Sequence, residues 1–137
     1  MQYDSKKSFL KLWFPVIIYA IIIFWGSSQK QPFGVDLGIC GIDSVLHAME
    51  YAVLGLLLSR AIAGSTQKIS VSALIFIAFI LGTLYGLTDE FHQYFVPGRD
   101  CSALDLTFDA IGSFLGAATF TVFIKGNPLR GGNPLNG

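Results

Sequence analysis

Gly86-Leu-Thr-Asp-Glu-Phe-His-Gln-Tyr-Phe-Val-Pro-Gly-Arg-Asp-Cys-Ser-Ala-Leu-Asp-Leu-Thr-Phe-Asp109 gathers Asp89, Glu90, His92, Gln93, Arg99, Asp100, Asp105 and Asp109 between two strongly apolar segments. Only 13% of the 137 residues are charged and 53% are hydrophobic. Soluble domains carry roughly a quarter charged residues. A chain this apolar that concentrates its ionisable groups in one interval reads as a membrane protein with one polar working region.

Outward from that interval, four apolar stretches run over Phe9–Trp25, Val45–Ala63, Ile69–Leu87 and Leu104–Ile124. A helix crosses the bilayer core with about 20 such residues, and lipid offers no partner for unpaired backbone groups, so helices are the expected form. The fold class that follows is an all-α integral membrane protein, four transmembrane helices in a compact antiparallel bundle. Residues 1–8 form a basic lead-in, 9–125 the membrane domain and 126–137 a disordered cytoplasmic tail. An apolar first segment behind a charged start also resembles a signal peptide, but Phe24-Trp25 stands where small cleavage-site residues belong.

Basic residues orient the bundle. Lys6, Lys7, Lys11, Arg60, Lys68, Lys125 and Arg130 fall on the side that holds both termini, and only Lys30 and Arg99 fall on the other. The positive-inside rule places both termini in the cytoplasm and the polar site at the outer face. Net charge is zero, which removes the general footprint of a nucleic-acid binder. Cys40 and Cys101 fall on one side, where a disulfide is permitted; two small half-buried thiols are the alternative.

The second span adds its own polar face. Asp43, His47, Glu50 and Tyr51 stand at i, i+4, i+7 and i+8, on one side of a helix, and Asp43 or Ser44 is placed to cap it. Ionisable groups inside a bilayer cost at least about 2.5–3.5 kcal/mol, so such a face turns to the bundle interior or to a wet cavity. Asp89 and Gln93 share a face if the third helix continues past Leu87, with Glu90 and His92 pointing elsewhere. Ser102-Ala-Leu-Asp105 fits a reciprocal helix cap. Asp109 lies one turn deeper, where no cap needs it. Gly82-x-x-x-Gly86 and Gly112-x-x-x-Gly116 have the small-residue spacing that lets helices approach closely, used here within the chain.

Asp43-x-x-x-His47-x-x-x-Tyr51, Asp89-Glu90-x-x-Gln93, Arg99, Asp105-x-x-x-Asp109 and Gly112 together resemble the VanZ-like family of small bacterial membrane proteins, over roughly residues 43–116. The family is named for a member associated with low-level resistance to the glycopeptide teicoplanin. The resemblance implies a multi-pass protein of the bacterial cytoplasmic membrane. Family members often have Lys where this chain has Ser44 and Asn where it has Asp109, which makes this site more acidic.

Three functions of different classes fit these residues. An enzyme would use His47 or His92 as general base, with Glu50, Asp89 or Glu90 as acid or orienting groups. Asp43, Tyr51, Gln93, Arg99, Asp105 and Asp109 would then hold the substrate, Arg99 by folding back onto the acidic cluster. Glu50, the deepest carboxylate of the second span, is the expected acid. A binder or transporter would use the same groups to recognise a lipid-linked envelope precursor, a surface lipid or a glycopeptide antibiotic. A structural subunit would use them to lock the helices together. There is no motif for an activated serine or cysteine nucleophile and no cofactor signature; a Zn²⁺ or Mn²⁺ site is a subsidiary option under the first two readings, since histidine and carboxylates can bind such ions, but no compact ligand motif supports it. The expected partners are the lipid bilayer and a lipid-linked envelope precursor or glycopeptide antibiotic, and no oligomeric state follows from the sequence.

Overall fold

The computed structural model describes residues 2–29, 42–66, 68–97, 99 and 102–125. They form four helices: α1 (Gln2–Ser27), α2 (Ile42–Ser65), α3 (Val71–Gln93) and α4 (Ala103–Lys125). Each contains a segment long and apolar enough to cross a membrane. Large apolar side chains such as Phe14, Ile21, Met49, Phe76, Leu84, Phe114 and Phe123 are exposed on all four. In water that surface would drive aggregation; in lipid it is the expected exterior. The chain is a multi-pass, all-helical membrane protein.

Helix ends follow local chemistry. Ser70 caps α3, its hydroxyl accepting from the Ala73 amide at 3.2 Å. Ser102 caps α4, accepting from the Asp105 amide at 3.2 Å. α3 does not stop at Leu87 but carries Asp89, Glu90 and Gln93 on regular helix, and α1 starts at Gln2, continuous with the basic lead-in. Beyond α3 the chain tightens through bonds from Phe95 N to the His92 carbonyl and from Val96 N to the Gln93 carbonyl. Most of the expected outer loop, Cys40 and Cys101 with their pairing, and the 126–137 tail lie outside the described residues.

Paired contacts give the topology. Ala20 meets Tyr85, Ser27 meets Asp89 and Ser28 meets His92, so α1 and α3 run parallel. Ser44 meets Asp105 and His47 meets Asp109, so α2 and α4 run parallel. Gly82 faces Ser113 and Gly86 faces Asp109, which sets α3 antiparallel to α4. Successive helices therefore alternate in direction, and the start of α1 and the end of α4 share one end of the bundle.

The α2–α4 seam is its tightest part. Gly112 lies under the Ala48 carbonyl, Gly116 under the Ala52 carbonyl, and Gly55 against the Ser113 carbonyl. Any β-carbon there would run into backbone. Small residues let two helices reach this separation, where dispersion does the holding that hydrophobicity cannot do in lipid. The glycine spacings thus serve packing within the chain.

Candidate functional site

Four helix ends meet at the pole opposite the chain's ends: the C-termini of α1 and α3 and the N-termini of α2 and α4. Because α2 and α4 run parallel and close, their side chains pair as rungs. The Ser44 hydroxyl donates to Asp105 Oδ1 at 2.7 Å. One turn deeper, His47 Nδ1 and Asp109 Oδ1 are 2.9 Å apart. Asp109 is fully buried and His47 is 9% exposed. With Asp109 ionised, the proton of this bond sits on Nδ1 and leaves the Nε2 lone pair available, the arrangement of a general base.

α3 completes the centre. Glu90, 2% exposed, accepts from the Ser102 backbone N–H at 2.7 Å through Oε2. That amide is a donor at the start of α4 that no turn of the helix can satisfy, and a carboxylate there also meets the positive end of the helix dipole. The reciprocal cap read from Ser102 and Asp105 is therefore only half made. Asp105 turns to Ser44 of α2, and Glu90 takes the place at the Ser102 amide. One ligand atom from each of His47, Glu90 and Asp109 lies within 4.8 Å of the other two. Glu90 Oε1 and Asp109 Oδ2 have no hydrogen-bond partner among the described residues.

A second cluster joins α3 to α1. Asp89, 2% exposed, accepts from Ser27 Oγ at 2.6 Å and from Gln93 Nε2 at 3.1 Å. His92 Nε2 lies 3.0 Å from Ser28 Oγ, and its ring rests on Phe24 with centroids 4.2 Å apart. Neighbouring residues on a helix point about 100° apart, so Asp89 serves α1 while Glu90 serves α4. Phe91, Tyr94, Phe95 and Trp25 are exposed around this end, as aromatic residues commonly are where lipid meets water.

The remaining sequence candidates fall as follows. Tyr51 is fully buried, with its ring 6.3 Å from that of Tyr85, and its hydroxyl lacks a partner among the described residues. Glu50 is half-buried on the flank of the His47–Tyr51–Leu54 line and makes no side-chain hydrogen bond among the described residues. The Asp43 side chain is outside the described residues. Among the described residues Arg99 makes no ion pair, and its Nε donates to the Gln29 carbonyl at 3.1 Å. The turn after α3 brings it to the end of α1 instead. Ser27 and Ser28 escape sequence reasoning, because a hydroxyl at the last turn of an apolar helix carries no periodic signal. Ser44, expected as a cap, lies inside α2 and reaches α4.

No curated protein and no solved structure matches this chain. The family model described as VanZ/LLP1 matches residues 2–124, extending the likeness beyond the polar positions to all four helices. The chain belongs to the VanZ/LLP1 family.

Proposed function

We propose that this protein binds, at the outer face of the bacterial cytoplasmic membrane, the polar end of a cell-envelope lipid or lipid-linked precursor, with His47, Glu90 and Asp109 as the reactive core of the site. The observation that carries this reading is the His47–Asp109 pair at 2.9 Å, buried between helices beside Glu90. Ionisable groups are expensive in a bilayer and are kept there mainly for work. Outward orientation is supported by the seven basic residues at the end holding both termini, against two at the other. A polyhydroxylated glycopeptide antibiotic of the teicoplanin type is a further ligand that the same groups could hold. The test is a mass-spectrometric comparison of lipids retained or converted by the protein in vesicles of total envelope lipid. Wild type should enrich or convert one headgroup class, and His47→Gln should reduce this at least tenfold with an unchanged melting curve. Identical lipid profiles for the two proteins would sink the proposal.

A structural reading has one observation in its favour. Asp89 ties α3 to α1, Asp105 and Asp109 tie α4 to α2, and Glu90 ties α3 to the start of α4. If locking is their whole purpose, His47→Gln lowers the melting temperature and leaves lipid binding per folded molecule unchanged.

A further inference from the structure

We infer that His47, Glu90 and Asp109 form a binding site for one divalent cation of the Zn²⁺ or Mn²⁺ class. The three donors come from α2, α3 and α4, and their ligand atoms lie within 4.8 Å of one another. An ion with ligand bonds of about 2.0–2.2 Å spans about 4 Å between donors on opposite sides. An ion shared with Asp109 is bound through His47 Nδ1, so it replaces the Nδ1–H···Oδ1 bond and the ring proton moves to Nε2.

Two buried oxygens point to a missing partner. Among the described residues, Glu90 uses Oε2 on the Ser102 amide and leaves Oε1 unpartnered, and Asp109 uses Oδ1 on His47 and leaves Oδ2 unpartnered. Both residues are at least nine-tenths buried. A buried acceptor without a donor is costly, and a buried charge without a counter-charge more so. Among the described residues no lysine or arginine supplies the counter-charge, and His47–Asp109 is the one ion pair. Two carboxylates and a neutral imidazole sum to two negative charges, which one divalent ion cancels.

The donor set selects the ion. Mg²⁺ and Ca²⁺ favour all-oxygen shells, whereas imidazole with carboxylates suits Zn²⁺ or Mn²⁺. Three protein ligands leave at least one position open, as at catalytic rather than structural zinc. The cation also deepens the proposed function. An acidic core repels a headgroup phosphate, and a bound cation cancels that charge and offers the phosphate an open ligand position. The metal site itself does not depend on the lipid reading.

Full-length protein in detergent, stripped with EDTA, is incubated with Zn²⁺ or Mn²⁺, desalted and assayed by elemental analysis. One equivalent should be retained. Glu90→Gln and Asp109→Asn should each weaken retention at least tenfold. Asp89→Asn removes the same charge at a residue whose oxygens are already bonded, and should retain the ion. Equal retention by wild type and Asp109→Asn, or none by wild type, would overturn the inference. Should a variant fail to fold, Mn²⁺ bound to wild type answers alone. Its electron spin-echo signal should carry modulation from an imidazole nitrogen, and its absence overturns the site. Headgroup binding unaffected by EDTA removes the cation from the proposed function, while metal retention without headgroup binding removes the function and leaves the site.

Discussion

α4 and α1 both pack against α2, by opposite means. Along α4, backbone meets backbone: Gly112, Gly116 and Gly55 leave no room for a methyl group. Along α1, side chains intervene. Among its described side chains only Val16, Ile23 and Ser27 are buried, and it reaches the neighbouring helices through groups such as Leu12, Trp13 and Ser27. Backbone contact fixes register with little freedom to adjust, whereas a layer of side chains can repack. His47, Glu90 and Asp109 all stand on the α2–α3–α4 unit, whereas the end of α1 and the residue after it bring the Ser27 and Ser28 hydroxyls to the polar end. The residues expected to do chemistry are on the part that cannot shift.

The largest expected effect is therefore at Gly116. Glycine to alanine in a helix ordinarily gains about 0.5–1 kcal/mol. Here the new Cβ would meet Ala52 O, Ala52 C at 2.8 Å and Leu56 N at 2.9 Å, all of them backbone. Only separating α2 from α4 relieves this, and overpacking of that kind costs about 3 kcal/mol or more. Gly116→Ala should fail to give a cooperative melt in detergent. A melting curve like that of wild type would show that the seam yields, and the contrast with α1 would be lost.

Gly86→Ala comes next and sharpens the comparison, because the obstacle is a site residue. Its Cβ would stand 2.7 Å from Asp109 Oδ2 and 3.1 Å from Asp109 Cβ. Asp109 cannot swing away without releasing His47, a charge-assisted bond of about 1.5–3 kcal/mol. The bundle should survive with a loss of about 1–3 kcal/mol, while retention of Zn²⁺ or Mn²⁺ falls at least tenfold. Unchanged retention with the same loss of stability would separate Gly86 from the site.

How much of this was legible in the sequence depends on which signal each feature leaves. Four helices follow from apolar length, and the inward turn of His47 and Tyr51 follows from their helical spacing. Asp109 is legible as a carboxylate too deep for a cap. Hydropathy stops where Asp89 and Glu90 begin, so the apolar stretch ends at Leu87 and leaves the helix's continuation open; the helix runs on because both carboxylates are satisfied on it, by Ser27 and by the Ser102 amide. The His47–Glu90–Asp109 set leaves no local motif, since each residue is on a different helix and only packing brings them together. Arg99 shows a similar limit: charge names a preferred partner, but the turn after α3 decides which atoms its Nε reaches, here the Gln29 carbonyl.

Gly64→Ala should have the smallest effect, and it tests the other half of the comparison. Gly64 lies near the C-terminal end of α2, and a Cβ there would come 2.7 Å from Leu12 Cδ2 and 2.8 Å from Leu12 Cδ1. By distance alone it resembles Gly86 and looks as forbidding. The obstacle, however, is the tip of a flexible leucine on α1. Moving that side chain toward another rotamer costs about 0.5–1.5 kcal/mol. Replacing a helical glycine returns about 0.5–1 kcal/mol. The two terms nearly cancel, so stability should stay within about 1 kcal/mol of wild type, with metal retention unchanged because the site lies at the far end of α2. A loss in Gly64→Ala as large as in Gly116→Ala, measured by the same detergent melt, would mean that α1 is held as rigidly as α4, and that helix-wide register rather than local backbone contact sets the tolerance of this bundle.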